Sequence, residues 1–328
     1  MSSKCSKRVA LIKGDGIGPE VIDSALTVLD AVGSDLDMVP FEVGYGRWKR
    51  TGEAMADEDF EEIKSCDCIL FGAITSPKDP KYRSVLLRIR KGLDLYANIR
   101  PIRGKGLDFV IVRENTEGLY SGLEEISEDE ARTVRVITRK GSERIARKAC
   151  DICLDRGPGR RKLTIVHKAN VIKGDNLFVA ACHGEAAARG LEFEDMHVDA
   201  AAYNMVLHPE KFDVLVTTNL FGDILSDEAA GILGSLGLCA SANLGDRYAL
   251  FEPIHGSALD IAGKGIANPI GAIKSAARML EWLGFPEKAR MIEEAIDKSL
   301  KDGVTTPDLG GGLRTEDVTS AVIRHIEG

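Results

Sequence analysis

Continuous apolar runs of strand length recur along this chain, with amphipathic stretches of helical spacing between them. "RVALIK" (8–13) precedes the helical pattern "PEVIDSALTVLDAVG" (19–33), and "DEDFEEIKS" (57–65) leads into "CDCILFGA" (66–73). "LDFVIVREN" (107–115), "KLTIVHK" (162–168) and "KFDVLVTTN" (211–219) are unbroken apolar runs that end in polar residues. Strands buried on both faces, with functional groups at their carboxyl ends, are the signature of an α/β sheet. In the last of these runs the strand is expected to end at Asn219 and a helix to begin near Gly222. "RTVRVITRKG" (132–141) alternates apolar and polar residues, which predicts a half-exposed strand, one arm of a hairpin. From Ile270 to Ile326 the pattern is mostly helical. There is no internal repeat, low-complexity tract or obvious linker.

The chain has 328 residues, enough for one large or two ordinary domains. A net charge of −8, with acids and bases interspersed, argues against nucleic acid as a partner. The most basic run, "RGPGRRK" (156–162), reads as a solvated loop. The N-terminal apolar run is too short for a secretory signal, and no stretch approaches the roughly 20 apolar residues of a membrane span. Seven scattered Cys suit reduced thiols in a cytoplasm better than a disulfide framework. Cys150 and Cys153 form a lone C-x-x-C at helical spacing, which predicts buried helix-face thiols.

"LIKGDGIGPEV" (11–21) looks like a dinucleotide loop but spaces its glycines G-x-G-x-G-P rather than G-x-G-x-x-G. No acid clearly closes a second strand about 20 residues later, as a ribose partner would. Pro19 suits the first turn of a helix. A plain strand-to-helix glycine turn is the expectation.

"TTNLFGDILSDEAAG" (217–231) sets Asp223 and Asp227 four apart, on one helix face. Two such carboxylates suit a hard divalent ion; a solvated face with Asp223 as a near-terminal cap is the alternative. "TIVHKANV" (164–171) puts Lys168 and Asn170 at a strand end, where a lysine can serve as a proton shuttle. "VRENTEGLYSG" (112–122) places Arg113 and Tyr120 likewise, and Arg90 and Arg100 add guanidiniums suited to carboxylates. "FEPIHGSALDIAGKGIANP" (251–269) could form a backbone cradle, with Asp260 placed to accept from a ribose hydroxyl.

Together "GDGIGPEV", "LDLYANIRP", "VRENTEGLY", "NLFGDILSDEAA" and "HGSALDIAGKGIANP" resemble, in order and over nearly the whole chain, the β-decarboxylating dehydrogenases that act on isopropylmalate, isocitrate, homoisocitrate and tartrate or malate. The resemblance implies an isopropylmalate/isocitrate dehydrogenase-type two-domain α/β fold, not a standard Rossmann fold. Residues 1–97 plus 236–328 would form the large domain with the cofactor loop. Residues 98–235 would form the small domain with the metal site and the dimer interface. It implies NAD bound by His255, Gly256, Ser257, Ala258, Leu259, Asp260, Ile261, Ala262, Gly263 and Asn268. NADP-dependent members tend to carry Lys-Tyr in place of Asp260-Ile261. Mg²⁺ or Mn²⁺ would be held by Asp199, Asp223 and Asp227.

By the same resemblance Arg90, Arg100 and Arg113 grip the substrate's carboxylates, with Asn170 and Asp199 beside it. Lys168 takes the hydroxyl proton, and Tyr120 reprotonates carbon after CO₂ leaves. Lys168 and Asp199 would reach the site from a second subunit, so the active unit would be a homodimer, or a tetramer built from dimers. Leu86 and Leu87 stand where isopropylmalate enzymes receive the isopropyl group, which implies 3-isopropylmalate oxidation in leucine biosynthesis. A homoisocitrate-type enzyme is the alternative, because Arg83, on the same predicted helix face by spacing, could meet a third carboxylate. Isocitrate or tartrate/malate activity and a non-catalytic regulatory homologue are further alternatives; the intact Lys168, Tyr120 and aspartate set speaks against the last. The segment between Gly104 and Asp108 is shorter than in most relatives.

Overall fold

A computed structural model describes residues 6–157 and 159–328, so the first five residues of the segment read for a leader, Cys5 among them, and Pro158 of the basic loop lie outside the described residues. Contacts divide the chain into two compact units: Met1–Leu93 with Gly234–Ala242 and Asp246–Gly328, and Asp94–Leu233 with Asn243–Gly245. The first crossing thus falls at Leu93–Asp94, a few residues before the expected 97–98.

The first unit opens with β1 (Lys7–Gly14), α1 (Gly18–Ala31), β2 (Leu36–Pro40), α2 (Tyr45–Thr51), α3 (Asp57–Lys64), β3 (Cys68–Ala73) and α4 (Val85–Gly92). The chain then enters the second unit through β4 (Ala97–Gly104), β5 (Leu107–Glu114), β6 (Glu124–Ile126), β7 (Ala131–Thr133) and α5 (Arg139–Asp155). There follow β8 (Lys162–His167), α6 (Asp175–Ala188), β9 (Glu192–His197), α7 (Val198–Leu207), β10 (Val214–Thr217) and α8 (Asn219–Leu233). β11 (Ala240–Leu244) passes Asn243 to the second unit, and β12 (Ala249–Pro253), α9 (Ile270–Trp282), α10 (Pro286–Lys301) and α11 (Thr315–Glu327) complete the first.

In the first unit the strands run β2-β1-β3-β12-β11, with β1, β2, β3 and β12 parallel. Val9, Ile12, Leu70 and Phe71 are buried, as expected of strands covered on both faces. In the second unit the order is β4-β5-β10-β8-β9. β5, β10, β8 and β9 are parallel, so their carboxyl ends share one edge. β4 runs antiparallel to β5 through the tight turn Lys105–Gly106, both at positive φ, which is how the short segment after Gly104 closes.

Three local expectations change. Of the 132–141 region only Arg132 and Thr133 lie in a hairpin strand (Ala131–Thr133, on Glu124–Ile126), and Arg139 already begins α5, capped by the Thr138 hydroxyl. α8 begins at Asn219, not near Gly222, so Asp223 sits in its second turn and is no terminal cap. Arg83 precedes Ser84, the N-cap of α4, and is therefore not on that helix. Cys150 and Cys153 are buried on α5, where burial pushes their thiols up to about 11 and about 12; all six described cysteines are free.

Candidate active site

In the second unit the chemistry gathers at the shared carboxyl edge. Arg113 lies at the end of β5 opposite Asn98 of β4, and Arg100 lies opposite Ile111, so both arginines share one sheet face. α8 covers that face with Asn219, Asp223, Ser226 and Asp227, all on one side of the helix by spacing. Gly222 allows the close approach, since a Cβ there would meet the Arg113 side chain at 2.7 Å.

Arg113 is 1% exposed. Its Nη2 donates to Asn219 Oδ1 at 2.7 Å, its Nη1 pairs with Asp223, and its guanidinium stacks 5.2 Å from the centre of the Tyr120 ring. Tyr120 Oη donates to Asp223 Oδ2 at 2.6 Å. Arg100 stands 3.4 Å from Asp223 and 3.8 Å from Asp227. Its Nε donates to Asn98 Oδ1 at 2.7 Å, and Asn98 is held by Asn243, which also accepts from Asn115. This buried amide network was not visible in the sequence, because its members come from three distant segments. Burial and the Asp223 carboxylate both raise the Tyr120 pKa, and Arg113 lowers it; the net shift is upward.

Lys168 follows the last residue of β8, and Asp199 lies in the first turn of α7 behind β9. The two form an ion pair, which lowers the Asp199 pKa. The Lys168 backbone is fixed by Asp175, fully buried, which accepts its N–H at 2.8 Å and pairs with Arg135. Arg135 also donates to Thr218 at 2.9 Å. Asp175 and Arg135 are positioning groups that the sequence reading missed; a buried aspartate opposite a strand-end lysine has no short motif. Asn170 is exposed in the turn after Lys168. Among the described residues no three His, Cys, Asp or Glu side chains converge to hold a metal, so Asp199 does not stand with Asp223 and Asp227 within one chain.

In the first unit Arg90 is buried against Glu252 at 2.7 Å, a partner the sequence did not suggest, and its Nε has no partner among the described residues. Leu86 and Leu87, four and three residues earlier, share its helix face, and Leu87 is 36% exposed. Arg83 is exposed, makes no ion pair among the described residues, and lines a cavity of about 140 Å³ with Trp48, Lys81, Val85 and Arg88.

The stretch from His255 to Asn268 is irregular backbone, with Ala258, Gly263 and Gly265 at positive φ. His255 Nε2 is buried without a partner among the described residues, and burial lowers the imidazole's pKa, favouring the neutral ring. Asn268 Nδ2 donates to Asp308 at 3.0 Å, and its Oδ1 accepts from Ile270 N. Asp260 is exposed and unpaired among the described residues. The first glycine loop braces this stretch: Ile17 N donates to the Ser257 carbonyl at 2.9 Å, and a Cβ at Gly16 would strike that oxygen at 1.9 Å. Asp15 is occupied by the backbone N–H groups of Tyr45, Gly46 and Thr75.

The family profile described as isocitrate/isopropylmalate dehydrogenase matches residues 8–322. Homoisocitrate dehydrogenase of Methanocaldococcus jannaschii is 46% identical, covering 97% of each chain. 3-Isopropylmalate dehydrogenase of Archaeoglobus fulgidus is 43% identical over 96% of this chain and 98% of its own. The crystal structure of isocitrate dehydrogenase from Methylococcus capsulatus superposes with a TM-score of 0.93 at 43% identity, covering 98% of this chain and 100% of that one. Matched nearly end to end by relatives named for three different substrates, the chain belongs to the isocitrate/isopropylmalate dehydrogenase family.

Proposed function

We propose that this chain is an NAD- and Mg²⁺- or Mn²⁺-dependent decarboxylating dehydrogenase of a 2-hydroxy acid, with 3-isopropylmalate as substrate and leucine biosynthesis as its setting. It works as a cytoplasmic homodimer. The observation that carries the substrate is the pair Leu86 and Leu87 on the Arg90 face of α4, with Arg83 off that helix and lining a separate cavity. Burying an isopropyl group on the leucines contributes roughly 2 kcal/mol, at about 0.8 kcal/mol per CH₂-sized group.

The residues fit both groups. Asp223 and Asp227 offer only oxygen donors, as a hard divalent ion requires, with Asp199 completing the set from a second copy. The neutral His255 with its unsatisfied Nε2 fits an adenine, and the positive-φ backbone to Gly263 fits close approach to phosphates. Asp260 would accept from a ribose hydroxyl and repel a 2′-phosphate, which favours NAD over NADP. A bound Mg²⁺ or Mn²⁺ supplies Lewis acidity at the substrate's hydroxyl and neighbouring carboxylate. Arg90, Arg100 and Arg113 hold the substrate carboxylates, and Asn170 lies beside them. Bound NAD⁺ would supply the hydride acceptor; Lys168 would take the hydroxyl proton, and Tyr120 would protonate the carbon that loses CO₂.

A homoisocitrate-type activity is the second reading, favoured by the exposed, unpaired Arg83 and by the homoisocitrate relative. Steady-state assays on isopropylmalate, homoisocitrate, isocitrate and malate, with NAD⁺ and with NADP⁺, separate the two. On the first reading isopropylmalate is preferred and Arg83→Ala leaves its kcat/KM nearly unchanged. A wild type that prefers homoisocitrate, and loses at least tenfold (about 1.4 kcal/mol) on it with Arg83→Ala, establishes the second.

A further inference from the structure

A cluster of three histidines and an aspartate in the second unit takes no part in the proposed reaction. Asp195 and His197 are two residues apart on β9, so they share a face. His167 ends β8 and stands beside His197 in register, the two rings edge to face at 5.4 Å. α6 packs on β9 with His183 over Phe193, ring centres 5.0 Å apart, and His183 Nε2 lies 2.9 Å from both oxygens of Asp195. His167 is 6% exposed. Its Nδ1 accepts from Ala169 N at 3.1 Å, so in the neutral ring Nε2 carries the hydrogen. That Nε2 has no hydrogen-bond partner and stands 3.9 Å from Asp195 Oδ1.

We propose that His183, Asp195 and His197 form a binding site for a borderline divalent transition ion such as Zn²⁺, with His167 donating to Asp195 from behind. Two imidazoles and a carboxylate make a donor set for Zn²⁺ rather than Mg²⁺, which separates this site from the all-oxygen aspartate set. His183 and Asp195 already face each other; among the described residues no three ligands converge yet. His197 is exposed and has no hydrogen bond to His183 or Asp195; joining them would require its ring to turn away from its edge-to-face contact with His167. Closing the 3.9 Å gap would let His167 Nε2 donate to Asp195 and orient the ligating carboxylate, as partners behind metal ligands commonly do. The side chains of His183 and Asp195 are 39% and 42% exposed, which gives the ion an entry path. Because His197 immediately precedes α7, the ion would tie α6 to the start of the helix that carries Asp199.

Co²⁺ titration of the full chain in excess Mg²⁺ tests the site. One Co²⁺ per chain should bind with the strong visible absorption of a four-coordinate site, and one equivalent of Zn²⁺ should displace it. His183→Ala and His197→Ala should each abolish that absorption, Asp223→Asn should leave it intact, and His167→Gln should weaken binding about 10–100-fold. Asp195→Asn, nearly isosteric, repeats the test should either alanine variant lose its far-UV circular dichroism. Absence of the band in the wild type, its persistence in either alanine variant, or its loss in Asp223→Asn would overturn the proposal.

Discussion

Tyr120 donates its phenol hydrogen to Asp223 Oδ2 at 2.6 Å, while Arg113 holds the other oxygen of the same carboxylate. The phenol is thereby kept protonated, its pKa above the ordinary 10.0 through burial and the Asp223 charge. A raised folded pKa contributes stability that is fully present below the unfolded value and is lost as pH rises through the folded one. The difference in 295 nm titration between wild type and Tyr120→Phe should therefore place this tyrosine above 10.0. Asp223→Asn should move it down, because the repelling charge is gone and Arg113 is released. Tyr120→Phe should also cut kcat by about 10²–10⁴, the range for losing an acid–base group. A phenol that titrates at or below the ordinary value would contradict the relationship.

Lys168→Met should lower kcat by the same range, about 10²–10⁴, with a smaller change in KM. Asp175→Asn acts on the same lysine through its support. It breaks a buried ion pair with Arg135, which costs about 3–5 kcal/mol of stability in urea unfolding. A Lys168→Met enzyme with half the wild-type kcat would remove Lys168 from the chemistry.

Metal removal should stop turnover. EDTA should abolish activity, and Mg²⁺ or Mn²⁺ should restore it. Asp227→Asn should raise the Mg²⁺ concentration needed for half-maximal rate, since one of a few hard ligands becomes neutral. Full activity in a rigorously metal-free sample would exclude this assignment.

Cofactor choice should reverse at two positions. Wild type should prefer NAD⁺, because a 2′-phosphate would face the Asp260 carboxylate. Asp260→Lys with Ile261→Tyr should shift kcat/KM toward NADP⁺ by tenfold or more, or about 1.4 kcal/mol. Faster wild-type turnover with NADP⁺ at subsaturating cofactor would be incompatible with the role given to Asp260.

What depends on local period and chemistry is legible in the residues themselves. Buried strands such as Leu107–Glu114 and Lys162–His167 read as unbroken apolar runs, because both faces lose water. The pairing of Asp223 with Asp227 follows from helical geometry alone. Boundaries were less visible: α8 starts at Asn219, and α5 at Arg139, where the Thr138 hydroxyl caps it against the strand-like residues before it. Arg83 shows the same limit, since a four-residue spacing to Leu87 means a shared face only if both lie in the helix, and Ser84 caps it in between. Only the tertiary structure decided who pairs with whom. Arg113 finds Asp223 110 residues away, Arg90 finds Glu252 162 away, and Gly16 rests on Ser257. Such contacts are set by strand order and the close approach of backbones, which no local pattern encodes.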